Sequence, residues 1–315
     1  MIAGENMKTV SCVTTVQDEG RLLWRVVRSR LGVSARQLSR AKTANVLMLD
    51  GMSVHADRRV RAGQVVSVGI YDDEPAYIPV REEAPVSIVY EDEDIYIVDK
   101  SAPLATQSSP RQPDNTLENR LANYFDDSAF VFRPVNRLDK GTSGLMAAAK
   151  HAHAQLILSR MLHTPDFVRE YLAVCEGIPE PPSGVIDRPI GKADGATVRR
   201  EVRPDGKPSR TYYETEYTKN GLSLVHLRLE TGRTHQIRVH MSAIGCPVAG
   251  DFLYGRELQN LPGRFALHSA RIGFLHPMSR ERMEFESRLP DELMRLFEEP
   301  LHPLIGSETE EMAYE

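Results

Sequence analysis

The chain has 315 residues, of which 26% are charged and 41% hydrophobic, and its formal net charge is −5. This length favours two domains, and this composition is typical of a globular protein rather than a disordered one. No apolar run approaches the roughly 18 residues that a membrane span needs, and residues 1–21 lack the basic-then-apolar order of a signal peptide. The sequence therefore predicts a soluble cytoplasmic protein with no membrane partner.

Three cysteines, Cys12, Cys175 and Cys246, lie far apart and show no paired spacing. They predict neither a disulfide framework nor a zinc site, and we expect free thiols. His235 and His240 are five residues apart, not the four that place two metal ligands on one helix face. No metal site is expected.

Charge is distributed unevenly along the chain. Residues 17–72 hold ten Arg or Lys against five Asp or Glu, net +5, whereas residues 298–315 hold six Glu and no base, net −6. A local basic patch is typical of a module that contacts phosphates, although a solvated helix face would carry the same charges. The acidic segment 299–315 is expected to be a solvated tail.

The first part of the chain alternates helical periodicity with turn signals. Residues 1–16 are expected to form a tail or a strand. Apolar residues then recur at helical spacing, and Ser34 can cap a second helix. The predicted elements are a helix over 21–31, a helix from Ser34 to Ala44, a hairpin over 46–54 that turns at Asp50-Gly51, and a strand over 65–70.

Two short basic helices followed by a small hairpin resemble the S4-type RNA-binding domain. The resemblance implies a small α/β RNA-binding domain over residues 17–72. Its expected RNA-binding patch consists of basic residues on the two helices: Arg21, Arg25, Arg28, Arg36, Arg40 and Lys42.

Residues 73–85 mix acids with three prolines and show no periodicity, which is typical of an exposed linker. A second domain is predicted over 86–298, where strands alternate with helices. We expect an α+β fold with a mixed, mainly antiparallel sheet. Its predicted elements include a hairpin over 87–98, strands over 144–149, 171–175 and 225–229, and a helix over 152–162.

A glycine-rich turn before the predicted strand at 144 carries one carboxylate, Asp139, between Arg137 and Lys140. Opposite charges and backbone donors would keep this carboxylate ionised, as a nucleophile or a base requires. A capped turn with a surface ion pair would have the same sequence, because turn aspartates are common.

A second segment, residues 229–240, ends a strand and begins a helix that Thr234 can cap. This helix has an apolar face and a polar face, and Arg238 lies on the polar one. Gly232 and the helix N-terminus offer backbone donors for an anion such as a phosphate.

Three segments, 136–145, 169–177 and 229–240, resemble the catalytic motifs of RluA-type RNA pseudouridine synthases in sequence, order and spacing. They read NRLDKGTSGL, REYLAVCEG and LETGRTHQIRVH. Two later segments, GCPVAGDFLYG and ALHSARIGFLHP, resemble the family's closing segments, so the resemblance covers residues 86–290. It implies a pseudouridine synthase fold and an enzyme that flips a uridine out of structured RNA and isomerises it.

The resemblance also implies roles for individual residues. Asp139 is the essential nucleophile or base, and Arg238 is the basic partner that pairs with it. Tyr171 is the tyrosine that stacks on the flipped uracil, and Arg137 enters the RNA stack where the base has left. Further candidates for substrate binding are Thr142, Gly232, Arg233, His235 and Gln236.

The implied reaction conserves every atom of uridine, so no cofactor or metal is expected. Asp139 could attack the ribose anomeric carbon, add to the uracil ring or abstract the ribose 2′ proton, and the sequence leaves all three open. Asn136 stands where the family often has His. Asparagine can hydrogen-bond but cannot titrate, and we expect activity to survive the difference.

Large-subunit ribosomal RNA is the expected partner, by resemblance to family members with an S4-type domain, and transfer RNA is the alternative. DNA is not expected to bind, and the chain is expected to be a monomer. A rival function is RNA binding without catalysis, which the intact Asp139, Tyr171 and Arg238 oppose. A serine hydrolase at Ser143 lacks the G-x-S-x-G elbow, and a dinucleotide fold lacks G-x-G-x-x-G.

Overall fold

The computed structural model describes residues 7–72, 77–127, 129–298 and 301. Within these ranges no helix has the length and apolar character needed to cross a bilayer. The chain divides into two compact units. One comprises Met1–Ala76 and His151–Ile157, and the other comprises Tyr77–Lys150 and Leu158–Glu315.

The N-terminal unit contains two helices and a four-stranded antiparallel sheet. Its elements are β1 (Met7–Val13), α1 (Leu23–Arg30), α2 (Ala35–Thr43), β2 (Leu47–Leu49), β3 (Met52–Ser53) and β4 (Val65–Tyr71), with a 3₁₀ turn at Val16–Asp18. The strand order is β1-β4-β2-β3. The Ser34 side chain caps α2 by accepting a hydrogen bond from Gln37 N at 3.1 Å. The helices, the hairpin and the strand after it confirm the elements predicted from periodicity and turn signals.

Two segments predicted as a tail or a linker make hydrogen bonds to regular structure. All seven residues of β1 pair with β4, so the described part of 1–16 includes a strand. Residues 77–85 form no helix or strand, but Val80 O and Glu82 N hydrogen-bond to Asn119, at 2.8 and 3.2 Å. Residues 73–76 and the predicted acidic tail, except Leu301, lie outside the described residues.

In the described residues, the larger unit has eleven strands, and nine of them form one sheet. Its strands are β5 (Ser87–Glu91), β6 (Ile95–Lys100), β7 (Ser143–Ala149), β8 (Val168–Glu176), β9 (Ser183–Asp187), β10 (Ile190–Lys192), β11 (Arg200–Val202), β12 (Arg210–Lys219), β13 (Leu222–Leu229), β14 (Leu267–Leu275) and β15 (Arg282–Glu286). The sheet order is β5-β6-β7-β14-β8-β13-β12-β9, with β15 on β14, while β10 and β11 form a separate pair. The β7–β14 pair is parallel and the other pairs of the described sheet are antiparallel. This confirms the predicted mixed, mainly antiparallel sheet.

In sequence order, helices alternate with the strands of the sheet, and both together give an α+β fold. They are α3 (Leu117–Phe125), α4 (Ala152–Met161), α5 (Gln236–Ala243) and the short α6 (Asp291–Met294), which a 3₁₀ turn at Arg295–Phe297 follows. Strand β7 is buried along its whole length, as is typical of a strand covered on both faces. Since β7, β14, β8 and β13 are neighbours, the sheet brings together three sequence motifs that lie far apart in the chain.

Gly144 is required by the parallel β7–β14 pairing. Its φ is +103°, and a Cβ there would lie 2.3 Å from Ser269 O. Gly221, in the turn between β12 and β13, also has a positive φ of +76°, but a Cβ there would meet nothing within 4 Å. We expect Gly144→Ala to lower the free energy of unfolding by more than about 3 kcal/mol, and Gly221→Ala by about 1–2 kcal/mol. Urea denaturation measures both, and equal losses would contradict the role of the neighbouring strand.

Candidate active site

A cavity of about 570 Å³ in the larger unit is lined by all three of the motifs singled out from the sequence. The turn before β7, strand β8 and the loop that leads into α5 each contribute side chains. The predicted site residues that line it are Arg137, Asp139, Thr142, Tyr171, Gly232, Arg233, His235, Gln236 and Arg238.

An ion pair joins two of these motifs inside the cavity. Arg238 Nη1 lies 3.2 Å from Asp139 Oδ2. The Arg238 side chain is 3% exposed and the Asp139 side chain 31%, so the arginine comes from the interior and the carboxylate faces the cavity.

Asp251, which the sequence reasoning missed, fixes the position of Arg238. Its fully buried carboxylate accepts two hydrogen bonds from the guanidinium, from Nε at 2.7 Å and from Nη2 at 2.8 Å. Burial by itself lowers the pKa of Arg238, but the hydrogen bonds and charge of Asp251, together with the charge of Asp139, outweigh it and raise that pKa. Arg238 therefore stays charged and bridges the two carboxylates.

Aromatic rings surround the same guanidinium. The Arg238 Cζ lies 4.0 Å from the ring centroid of Phe265 and 5.0 Å from that of Tyr254, both within the range of cation–π attraction. The Tyr254 hydroxyl lies 2.8 Å from His235 Nδ1 and accepts from Arg200 N at 2.8 Å. Burial raises the pKa of Tyr254 to about 12, so this hydroxyl remains protonated at neutral pH.

The turn that presents Asp139 is held from below by a buried lysine and a threonine. Lys100 Nζ donates to Leu104 O at 2.8 Å and to Lys140 O at 3.4 Å. Thr106 Oγ1 donates to Leu138 O at 2.6 Å. These bonds fix the backbone on both sides of the carboxylate.

The charged neighbours predicted for Asp139 were wrong. Arg137 and Lys140 flank it in the chain, but both expose their side chains. Among the described residues the ion-pair partner of Asp139 is Arg238, and the His235 imidazole lies nearby with Nε2 at 3.8 Å from Oδ2. Residues adjacent in a turn point away from one another, whereas the partner of Asp139 comes from a distant helix.

The predicted cap of α5 was also wrong. The helix begins at Gln236, and its N-cap is His235, which has a left-handed backbone (φ 57°), rather than Thr234. Gln236 Oε1 accepts from Arg233 N at 3.0 Å and from Thr231 Oγ1 at 2.8 Å. No side chain of the described residues caps this helix, and Gln236 instead binds the loop that precedes it.

Tyr171 and His235 lie on the cavity wall, and burial keeps both in their neutral forms. Tyr171 is 6% exposed, and burial raises the pKa of its phenol, which stays protonated at neutral pH. Burial lowers the pKa of His235, although the charge of Asp139 opposes that effect. The cavity therefore combines one accessible carboxylate with a neutral phenol and a neutral imidazole.

Comparison with known proteins identifies this arrangement. Residues 94–243 match a family model described as RNA pseudouridylate synthase. The Bacillus subtilis RNA pseudouridine synthase YjbO is 34% identical over 86% of this chain and 97% of its own length. The ribosomal large subunit pseudouridine synthase D of Vibrio parahaemolyticus is 38% identical over 69% of this chain and 71% of its own.

The chain belongs to the RluA-type RNA pseudouridine synthase family. A solved structure, human RNA Pseudouridylate Synthase Domain Containing 1, supports the same fold at 28% identity and a TM-score of 0.55, and covers 75% of this chain and 94% of its own. The synthase is thus an RNA-modifying isomerase, and the cavity around Asp139 is its candidate active site.

The structure shows the hydrogen bonds of Asn136, which stands where the family often has His, and of Ser143, the nucleophile that a serine hydrolase would need. Asn136 Oδ1 accepts from Ala147 N at 2.9 Å, while its buried Nδ2 has no hydrogen-bond partner. Ser143 Oγ lies 2.9 Å from His268 Nδ1, but both residues are buried away from the cavity lining. A serine in that position has no access to a substrate, which argues against the hydrolase alternative.

Among the described residues, Asp92, Asp94 and His276 form a group with the spacing of a metal site. His276 Nδ1 accepts from Ser279 N at 3.0 Å, and the buried Nε2 lies 3.0 Å from Asp92 Oδ2 without a hydrogen-bond partner in the described part of the chain. The expectation that the protein has no metal site therefore stays a prediction.

The basic residues predicted as an RNA-binding patch lie on α1, α2 and just before α1. Arg25, Arg28, Arg36 and Lys42 are exposed. Arg21 is half-buried and pairs with the buried Asp18 at 2.9 Å, so it also has a structural role. The Arg40 guanidinium lies 5.4 Å from the ring centroid of Tyr71.

The difference in burial between Asp251 and Asp139 predicts different costs of substitution. Removing one partner of a fully buried pair leaves an uncompensated charge, whereas a partly exposed pair contributes little. We expect Asp251→Asn to lower the free energy of unfolding by about 3 kcal/mol or more, and Asp139→Asn by about 1 kcal/mol or less. Denaturant titration of the two variants measures this, and a larger loss in Asp139→Asn would contradict it.

Lys100 predicts a pH-dependent stability. Burial lowers its pKa to about 7, although the charge of Asp139 opposes that effect, whereas a free lysine titrates at about 10.4. Between these values the unfolded chain binds more protons than the folded chain, so folded-state stability rises with pH. We expect the free energy of unfolding of wild type to rise relative to that of Lys100→Met from pH ~7 to ~10, by at most about 1.4 kcal/mol per pH unit. Unfolding measured across this range tests it, and a pH-independent difference would refute the shift.

Proposed function

We propose that the synthase isomerises specific uridines in large-subunit ribosomal RNA, with Asp139 as the group that acts on the flipped nucleotide. The observation that carries this proposal is the ion pair between Asp139 and the buried Arg238, 3.2 Å apart, in the cavity that Tyr171 also lines. Support for the RNA class comes from relatives named ribosomal large subunit pseudouridine synthase D in several bacteria, which are 34–38% identical.

The two parts of the chain have separate proposed roles. Residues 17–72 form an S4-like domain that binds RNA phosphates through the exposed basic residues of α1 and α2. Residues 86–298 form the catalytic domain, and the segment between them is the linker. We propose that the enzyme acts as a monomer in the cytoplasm, where its free cysteines remain reduced.

In the proposed reaction, the uridine leaves its helix and enters the cavity, and the exposed Arg137 fills the gap in the RNA stack. The bond from ribose C1′ to uracil N1 breaks, the uracil turns, and C1′ bonds to C5. The C5 proton is lost, and N1 gains one. Nucleophilic attack on the ribose, addition to the ring and abstraction of the 2′ proton all require an ionised carboxylate, and the Arg238 guanidinium lies 3.2 Å from that of Asp139.

Tyr171 is proposed to stack on the flipped uracil. It lies on β8 with its ring against the cavity and is protonated at neutral pH because burial raises its pKa. It can therefore donate a proton during the exchange but does not act as a base in its resting state. Thr142, Arg233, His235 and Gln236 complete the proposed binding surface.

Release of tritium from RNA that contains [5-³H]uridine tests the role of Asp139, because the C5 hydrogen is lost only when the new bond forms. We expect wild type to release label and Asp139→Asn to be slower by at least about a thousand-fold. Asp166→Asn, which changes an exposed carboxylate outside the cavity, is the matched control and should keep full activity. Undiminished release by Asp139→Asn would overturn the proposal.

The same assay separates the possible substrates. Transcripts of large-subunit ribosomal RNA should release label, and transfer RNA transcripts should not. Release from transfer RNA alone would replace the ribosomal assignment, and tight RNA binding with no release from any transcript would favour the non-catalytic alternative. Mapping pseudouridines in cells that lack the protein identifies the modified position.

A further inference from the structure

Arg169 is a buried cation in the cavity that the proposed reaction does not use. It lies on β8 two residues before Tyr171, so the two side chains share one face of the strand. Both line the cavity, and Arg169 is 4% exposed. An arginine this deeply buried needs compensation for the loss of its hydration.

The protein supplies little of that compensation. Arg169 Nη2 reaches Leu162 O at 3.5 Å, the outer limit of a hydrogen bond, and the buried Nε has no partner. Throughout the described part of the chain, no carboxylate forms an ion pair with Arg169. Arg238 is different, since it pairs with Asp139 and Asp251. Burial lowers the pKa of Arg169, which reflects the missing anion.

The loop before α5 is shaped to admit this guanidinium. A Cβ on Gly232 would lie 2.6 Å from Arg169 Nη1, so a side chain at 232 would collide with the arginine. Gly232 and Thr234 both line the cavity. Their backbone N–H groups have no acceptor among the described residues. The eight-residue helix that follows adds the positive end of its dipole.

We propose that Arg169 and the backbone of Gly232 and Thr234 bind a phosphodiester group of the RNA strand that carries the flipped uridine. This proposal rests on the proposed function of the cavity. The cluster offers donors only, and a phosphate offers acceptors only. The uracil edge presents an N–H between two carbonyls and would need an acceptor that this cluster lacks, so the phosphate fits better.

Nucleotide binding tests the proposal without requiring turnover. Affinities for uridine, uridine 5′-monophosphate and uridine 3′-monophosphate are measured by NMR titration at constant ionic strength. We expect wild type to prefer one monophosphate over uridine by about tenfold, the order of one charged hydrogen bond. Arg169→Met should lose this preference, and Arg169→Lys should keep part of it. Arg228→Met is the matched control, because Arg228 is exposed, stacks on Tyr212 outside the cavity lining, and should leave the preference intact.

Thermal unfolding without ligand separates phosphate binding from a structural role. Arg169→Met removes an uncompensated buried charge, so its Tm should equal or exceed that of wild type. A marked fall in Tm would overturn the proposal, as would a monophosphate preference that survives in Arg169→Met or is absent from wild type. Equal weakening of uridine and its monophosphates would assign Arg169 to the base instead and would also overturn it. If wild type shows the preference but releases no tritium from RNA, the proposed function fails and the phosphate site stands.

Discussion

The site depends on one buried guanidinium that two carboxylates share. Burying the Arg238 guanidinium without an anion would cost several kcal/mol. Asp251 compensates it from inside the protein with two hydrogen bonds, and the remaining Nη1 reaches Asp139 at the cavity. The arginine is therefore fixed before any RNA binds, and its charge acts at Asp139 without reorganisation. Phe265 and Tyr254 lie against the guanidinium, while the carboxylate of Asp139 remains partly exposed at the cavity.

The sheet makes this ion-pair chain rigid. Ala249, two residues before Asp251, donates to Val174 O on β8 and accepts from Ala266 N, at 2.9 and 2.8 Å. The segment that carries Asp251 is therefore tied to the same strand that carries Tyr171. Asp139 precedes β7, and Arg238 lies in the helix that follows β13. Strand β8 is the neighbour of β13 and is separated from β7 only by β14, so one continuous run of four paired strands fixes the distance between the three charges.

Local features were predictable from the sequence, and long-range pairing was not. The Ser34 cap and the Asp50-Gly51 hairpin depend on residues within a few positions of each other, and both are present. The motif resemblance brought Asp139, Tyr171 and Arg238 to one cavity. It did not reveal Asp251. If Arg238 is buried, however, its guanidinium needs a second anion besides Asp139. The predicted Thr234 cap was wrong because the loop continues through His235, whose left-handed backbone comes directly before the first helical residue.

Arg238 and Arg169 show two ways of placing a positive charge beside a reacting nucleotide. The first is compensated within the protein, so its field acts on Asp139 at all times. Arg169 has no anion in the described part of the protein, so the cost of removing its guanidinium from water is offset only when an anionic group enters the cavity. Four arginines and one aspartate line the cavity, and Asp251 lies behind one of those arginines, which leaves a net charge of +2 for these side chains. A positively charged cavity with a single ionised carboxylate favours a ligand that brings phosphates and offers a neutral base to that carboxylate, which is the charge pattern of a nucleotide extruded from RNA.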